Sequence, residues 1–87
     1  MPQVYLPPAM RSLAADQEVV GAEGRNVRAV IEDLESRFPG VRERLCRGEE
    51  LRTGLTVVVN GSVSGLGLLQ PVDEDAEIHF LPALGGG

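Results

Sequence analysis

Apolar positions along the chain change period several times, and each change marks an element. From residue 27 they recur as Val27, Val30, Ile31, Leu34 and Phe38, the spacing of one face of an α-helix. Arg28, Glu32, Asp33, Glu35 and Arg37 fill the other faces. Asn26 offers a side-chain oxygen to the free amides of the first turn. Pro39-Gly40 ends the run, because proline restricts the residue before it and glycine permits the reversal. The pattern predicts the main helix here. A second, short helical stretch is predicted over Val41 to Cys46, with Arg42, Glu43 and Arg44 outward.

Elsewhere the pattern is that of strands. Gln3-Val4-Tyr5-Leu6 is short and β-prone and is stopped by Pro7-Pro8. Glu18-Val19-Val20 suggests a second strand that pairs with the first, across a connection too long for a tight turn. Thr56-Val57-Val58-Val59 is the strongest strand signal, a β-branched run, and Asn60-Gly61 behind it favours a tight reversal into Ser62-Val63. Glu77 to Leu81 alternates: Ile78 and Phe80 face one way, Glu77, His79 and Leu81 the other, and Pro82 closes the strand. Gly48 to Gly54 reads as polar connection, and Gly65 to Pro71 is punctuated by glycine and fits no period. The order of strands around one main helix predicts an α+β domain, a small mixed sheet with the helix packed across it. The first and last strands are natural central neighbours.

Composition narrows the functions available. With 87 residues the chain builds one core, and its single cysteine, Cys46, excludes an internal disulfide. One cysteine and one histidine do not make a structural zinc site, so no metal or stably bound cofactor is expected. A net charge of −5 argues against nucleic-acid binding and fits a partner with a basic surface. No secretory leader and no membrane-spanning run is evident, so the expected setting is cytoplasmic, without membrane contact.

The final residues carry the candidate chemistry. Gly85-Gly86-Gly87 hang from the apolar run Ile78-His79-Phe80-Leu81-Pro82-Ala83-Leu84. Glycine passes where side chains cannot and is costly to order. Residues 1–84 are therefore expected to form the domain and 85–87 a flexible tail, with the C-terminal carboxylate as the functional group.

Taken in order, these pieces resemble the β-grasp, ubiquitin-like sulfur carriers: the small subunit of molybdopterin synthase, the thiamine-pathway carrier and the actinobacterial carrier of cysteine synthesis. The resemblance rests on Val27 to Leu34, Arg37-Phe38-Pro39-Gly40, Leu45, Val57-Val58-Val59-Asn60-Gly61, and Glu77 through Gly87. Pro82 and Ala83 keep the places they have in the family's terminal Pro-Ala-Val-Ala-Gly-Gly. Leu84 replaces its valine, Gly85 its alanine, and Gly86 and Gly87 form the terminal pair. The chain departs from the family at Glu74-Asp75-Ala76-Glu77, where a turn glycine is common, and in the glycines of Gly65-Leu66-Gly67-Leu68-Leu69.

The resemblance implies a β-grasp fold and a carrier rather than an enzyme. Gly87 would be adenylated with ATP by an E1-like enzyme, then converted to a thiocarboxylate and spent in a sulfur-accepting enzyme such as a synthase large subunit. The chain has no glycine-rich phosphate loop followed by lysine, so activation belongs to the partner. Gly86 and Gly87 would enter its narrow channel, with Leu81, Pro82, Leu84 and Gly85 as docking residues. The molybdopterin branch is the first expectation, on overall length and Phe38-Pro39-Gly40. Sulfur donation for cysteine, thiamine or another thio-metabolite follows, and a ubiquitin-like protein modifier and an inert binding module complete the alternatives. Cys46 is expected to be an incidental buried thiol, and His79 a solvated or contact residue. Glu49-Glu50 and Asp73-Glu74-Asp75 read as solvated acidic surface.

Overall fold

Five strands meet in one sheet in a computed structural model that describes residues 1–82. In chain order the elements are β1 (Gln3–Tyr5), β2 (Val19–Gly21), α1 (Val27–Arg37), α2 (Val41–Leu45), β3 (Cys46–Arg47), β4 (Glu50–Leu51), β5 (Leu55–Val59), β6 (Ser62–Val63) and β7 (Glu77–Pro82). The sheet order is β2-β1-β7-β5-β6, and β3-β4 form a separate hairpin. The first and last strands are neighbours and run parallel, Val4 opposite Ile78 and Tyr5 opposite His79, so β7 sits at the centre. β5 lies antiparallel on its other side, from Leu55 opposite Pro82 to Val59 opposite Ile78.

Side-chain alternation sorts this sheet into two faces. Val4, Val20, Val57, Val59, Ile78 and Phe80 point inward, where Val27, Val30, Ile31 and Leu34 of α1 bury their stripe against them. The helix starts where the sequence predicts: Asn26 Oδ1 accepts from the Ala29 amide at 2.8 Å. Phe38 closes it half-buried, its amide donating to the Leu34 carbonyl at 2.7 Å. Gly40 then takes φ +106°, a left-handed conformation suited to glycine. Its amide and that of Arg42 donate to the Glu35 carboxylate, which satisfies the entry to α2.

Asn60 and Gly61 both have positive φ, 50° and 83°, the geometry that a two-residue reversal between β5 and β6 requires. Asn60 is also stitched to the start of β7. Its amide donates to the Glu77 carbonyl, and its side-chain oxygen accepts from the Glu77 amide, each at 2.9 Å.

Four readings of the sequence change. The connection between β1 and β2 contains a 3-10 helix, Pro8–Ala14, whose Met10 and Ala14 enter the core. Gly48 to Gly54 is not plain connection, because β3 and β4 pair there in two-residue strands. Cys46 belongs to β3 and not to α2. β7 runs through Pro82 instead of stopping before it: proline, lacking an amide hydrogen, is tolerated at the strand end. The missing turn glycine before β7 costs nothing visible. The Ala76 amide donates to the Asp73 carbonyl at 3.1 Å, and no residue from 73 to 76 has positive φ. Gly65 to Pro71 contains a 3-10 turn, Gly67–Leu69, that buries Leu68.

Candidate functional site

The alternation that buries Ile78 and Phe80 turns His79 and Leu81 to the opposite face of the central strand, and no helix covers that face among the described residues. Register extends this outward set across the whole sheet. Val19 lies opposite Tyr5, Tyr5 opposite His79, His79 opposite Val58, and Val58 opposite Val63. One row of side chains thus crosses all five strands, and Thr56 opposite Leu81 begins the next row toward the end of β7. The row is mostly apolar. Val63 is 71% exposed and Leu81 45%, so two of the five exposed large apolar side chains among the described residues share this face.

His79 fixes the middle of the row. Its ring stacks on Tyr5, with centroids 4.2 Å apart and planes 7° from parallel. Its Nε2 lies 3.0 Å from Glu77 Oε1. This packing holds His79 half-buried on the surface of the sheet.

Of the tail positions singled out in the sequence, Leu81 and Pro82 are both exposed at the end of β7. Leu84, Gly85, Gly86 and Gly87 lie outside the described residues. β7 is therefore the element that delivers the chain toward its glycine end, from the centre of the sheet and beside the open face.

Cys46 is only 4% exposed. Burial raises its thiol above the ordinary range, and the opposing fields of Arg42 and Arg52 do not reverse that. A thiol held neutral is a poor nucleophile, so Cys46 is a packing residue. Among the described residues no group of three or more His, Cys, Asp or Glu side chains is placed to hold a metal ion. Nor is any helix long and apolar enough to cross a membrane.

Tyr5, Val19, Val58 and Val63 are the surface residues that sequence reasoning missed. Val58 sits inside the run Thr56-Val57-Val58-Val59, in which β-branched residues on both faces hide the alternation. The others join the site only through pairing across strands.

The chain as a whole has counterparts among known proteins. The model of the ThiS family matches residues 4–87. The sulfur carrier protein CysO of Mycobacterium tuberculosis is 32% identical over 90 residues, covering 97% of this chain and 96% of that protein. A chain of the Amycolatopsis orientalis BexX/CysO complex superposes with a TM-score of 0.89 at 33% identity, each chain covered in full. The crystal structure of Mycobacterium tuberculosis CysO gives 0.86 at 30% identity, covering 97% of this chain and all of that one.

Proposed function

The chain belongs to the ThiS family of ubiquitin-like sulfur carriers, proteins that carry rather than catalyse, and on that premise we propose that its own carboxyl end at Gly87 is the sulfur-bearing group. The observation that carries this reading is the reach of the family match, which runs through the glycines to residue 87. A carboxylate is a poor electrophile. An E1-like enzyme would join Gly87 to the α-phosphate of ATP, releasing pyrophosphate. A sulfur nucleophile would then displace AMP and leave a thiocarboxylate. Gly86 and Gly87 would thread a channel too narrow for side chains, where a displacement on the ångström scale costs roughly 100-fold in rate.

In this reading the domain of residues 1–84 supplies the grip and residues 85–87 the reach. The open row Tyr5, His79, Val58 and Val63, with Leu81 beside it toward the tail, is the docking surface in this reading, and Pro82, Leu84 and Gly85 would add contacts to the partner. The relatives bear the name of the cysteine-type carrier. Sulfur donation for cysteine or a related thio-metabolite is therefore favoured over the molybdopterin branch expected first from the sequence. The accepting enzyme would take the thiocarboxylate sulfur and return Gly87 as a carboxylate.

Adding one residue after Gly87 tests this. The extended chain should fold like the parent but gain no sulfur when supplied with ATP, sulfide and the adenylating enzyme. Sulfur loading of an untrimmed extended chain would overturn the proposal.

A further inference from the structure

All eight cationic side chains of this acidic chain are arginines. Arg11, Arg28, Arg37 and Arg42 each have a carboxylate within salt-bridge range. Of the four with no such partner among the described residues, Arg44, Arg47 and Arg52 fall in the short stretch between the start of α2 and the start of β5.

Arg42, Arg47 and Arg52 line one open cleft whose walls also hold Glu35 and Glu43. Glu35 is already engaged, accepting from the Gly40 amide at 3.1 Å and the Arg42 amide at 2.8 Å. Arg42 is held by the Gly48 carbonyl at 3.2 Å, with Glu49 farther off at 3.9 Å. Arg52 Nε donates to the Glu43 carbonyl at 2.7 Å, which anchors the side chain and leaves its charge unmatched. Arg47 is exposed and lies opposite Glu50 in the β3-β4 hairpin, and its side chain makes no hydrogen bond or ion pair among the described residues.

The position of the cleft gives it a partner. The Arg52 amide donates to the Leu45 carbonyl and the Leu55 amide to the Arg52 carbonyl, at 2.9 and 3.1 Å. Leu55 lies opposite Pro82. The cleft therefore flanks the end of the sheet at which β7 leads toward the tail. The other end of β7 is acidic, with Asp73, Glu74, Asp75 and Glu77. Five residues beyond Pro82 span at most about 18 Å, so an enzyme that holds the tail in a channel must press against this arginine end.

We propose that the cleft of Arg42, Arg47 and Arg52 receives an acidic segment of the adenylating enzyme, a loop of Asp or Glu side chains beside the mouth of the tail channel. The inference rests on the carrier reading and adds a recognition element to it. Guanidinium groups bind carboxylates through paired, directional hydrogen bonds. Arginines flanking one end of β7 and carboxylates at its other end also fix which end of the domain approaches the channel, because the reversed approach sets like charges together.

The test is calorimetric binding of the full-length chain to the E1-like adenylating enzyme of the same source, at low and moderate salt. Arg47→Glu is the leading variant because the Arg47 side chain has no hydrogen bond or ion pair to lose among the described residues. It should weaken binding by ~10-fold, with a further loss in the Arg47→Glu/Arg52→Glu double variant and a flatter salt dependence. Arg25→Glu, an equal change of charge near the opposite end of the sheet, should stay within ~2-fold, as should the melting midpoint of Arg47→Glu within a few degrees. Equal losses at Arg25 and Arg47, or unaltered binding of the double variant, would overturn the inference and leave the carrier reading intact. Failure of the unsubstituted chain to bind would overturn both.

Discussion

Phe80 and Leu81 are adjacent on β7 and face opposite ways, so truncating each to alanine separates folding from docking. Phe80 is 1% exposed, opposite Val57 in the core. Removing a buried phenylalanine side chain costs about 3–5 kcal/mol. A domain of this length holds roughly 4–13 kcal/mol in total, so Phe80→Ala takes a large share of it. At roughly 4–8 °C per kcal/mol, the melting midpoint should fall by at least about 12 °C. Leu81 retains 45% of its surface, so its truncation should cost the fold less than about 1 kcal/mol. What it removes is area available to a partner. Full burial of a leucine is worth about 1.5–3 kcal/mol, and the 45% still exposed leaves about 0.7–1.4 kcal/mol to be gained on docking. That corresponds to roughly 3- to 10-fold in affinity. The assay pairs thermal unfolding by circular dichroism with the KM for the carrier in ATP–pyrophosphate exchange by the adenylating enzyme. A Leu81→Ala chain that melts as early as Phe80→Ala, or one with an unchanged KM, would refute the assignment of Leu81 to a docking face.

Other substitutions probe the supports of that face. Gly24 has φ +156°, and a Cβ there would lie 2.6 Å from the Val30 amide nitrogen, so Gly24→Ala should destabilise by more than about 1 kcal/mol in chemical denaturation. Asn26→Ala removes the cap of α1 and should cost about 1 kcal/mol in the same assay. Cys46 should react with iodoacetamide far more slowly at neutral pH in the folded chain than in the denatured one. Its thiol is raised by burial, so its contribution to stability is fully present below the unfolded-state value, about 8.5, and is lost as pH rises through the folded value. Because the chain has no lysine, its activated tail finds no side-chain amine on another copy. Incubation with ATP and the adenylating enzyme should give no ladder of self-conjugates on a denaturing gel, and a ladder joined through side chains would contradict this.

Much of the frame was legible because local signals agreed with the tertiary structure. The stripe Val27, Val30, Ile31 and Leu34, bounded by Asn26 and Pro39-Gly40, marks a helix whose face and ends coincide with the pattern. Ile78 and Phe80 against His79 and Leu81 divide the central strand correctly. The hairpin β3-β4 was not legible, since two-residue strands carry no period. Long-range bonds such as those of Arg52 to Leu45 and Glu43 hold that region in place. The 3-10 helix from Pro8 shows the same difficulty, because its turns bury only Met10 and Ala14.

The site divides in the same way. Its proposed chemical end is a string of glycines visible in the sequence, whereas the proposed docking face arises from register. Tyr5, His79, Val58 and Val63 are scattered along the chain and become neighbours only when β1, β7, β5 and β6 pair. The arginine cleft depends similarly on the turn from α2 into β3, which brings Arg42, Arg47 and Arg52 together.

The most direct test of the central claim is the intact mass of the purified chain after incubation with ATP, sulfide and the E1-like adenylating enzyme of the same source. The account predicts a gain equal to the exchange of one oxygen for sulfur, mapped by fragmentation to Gly87. An unchanged mass, with an enzyme that demonstrably loads a known carrier of its own, would contradict it.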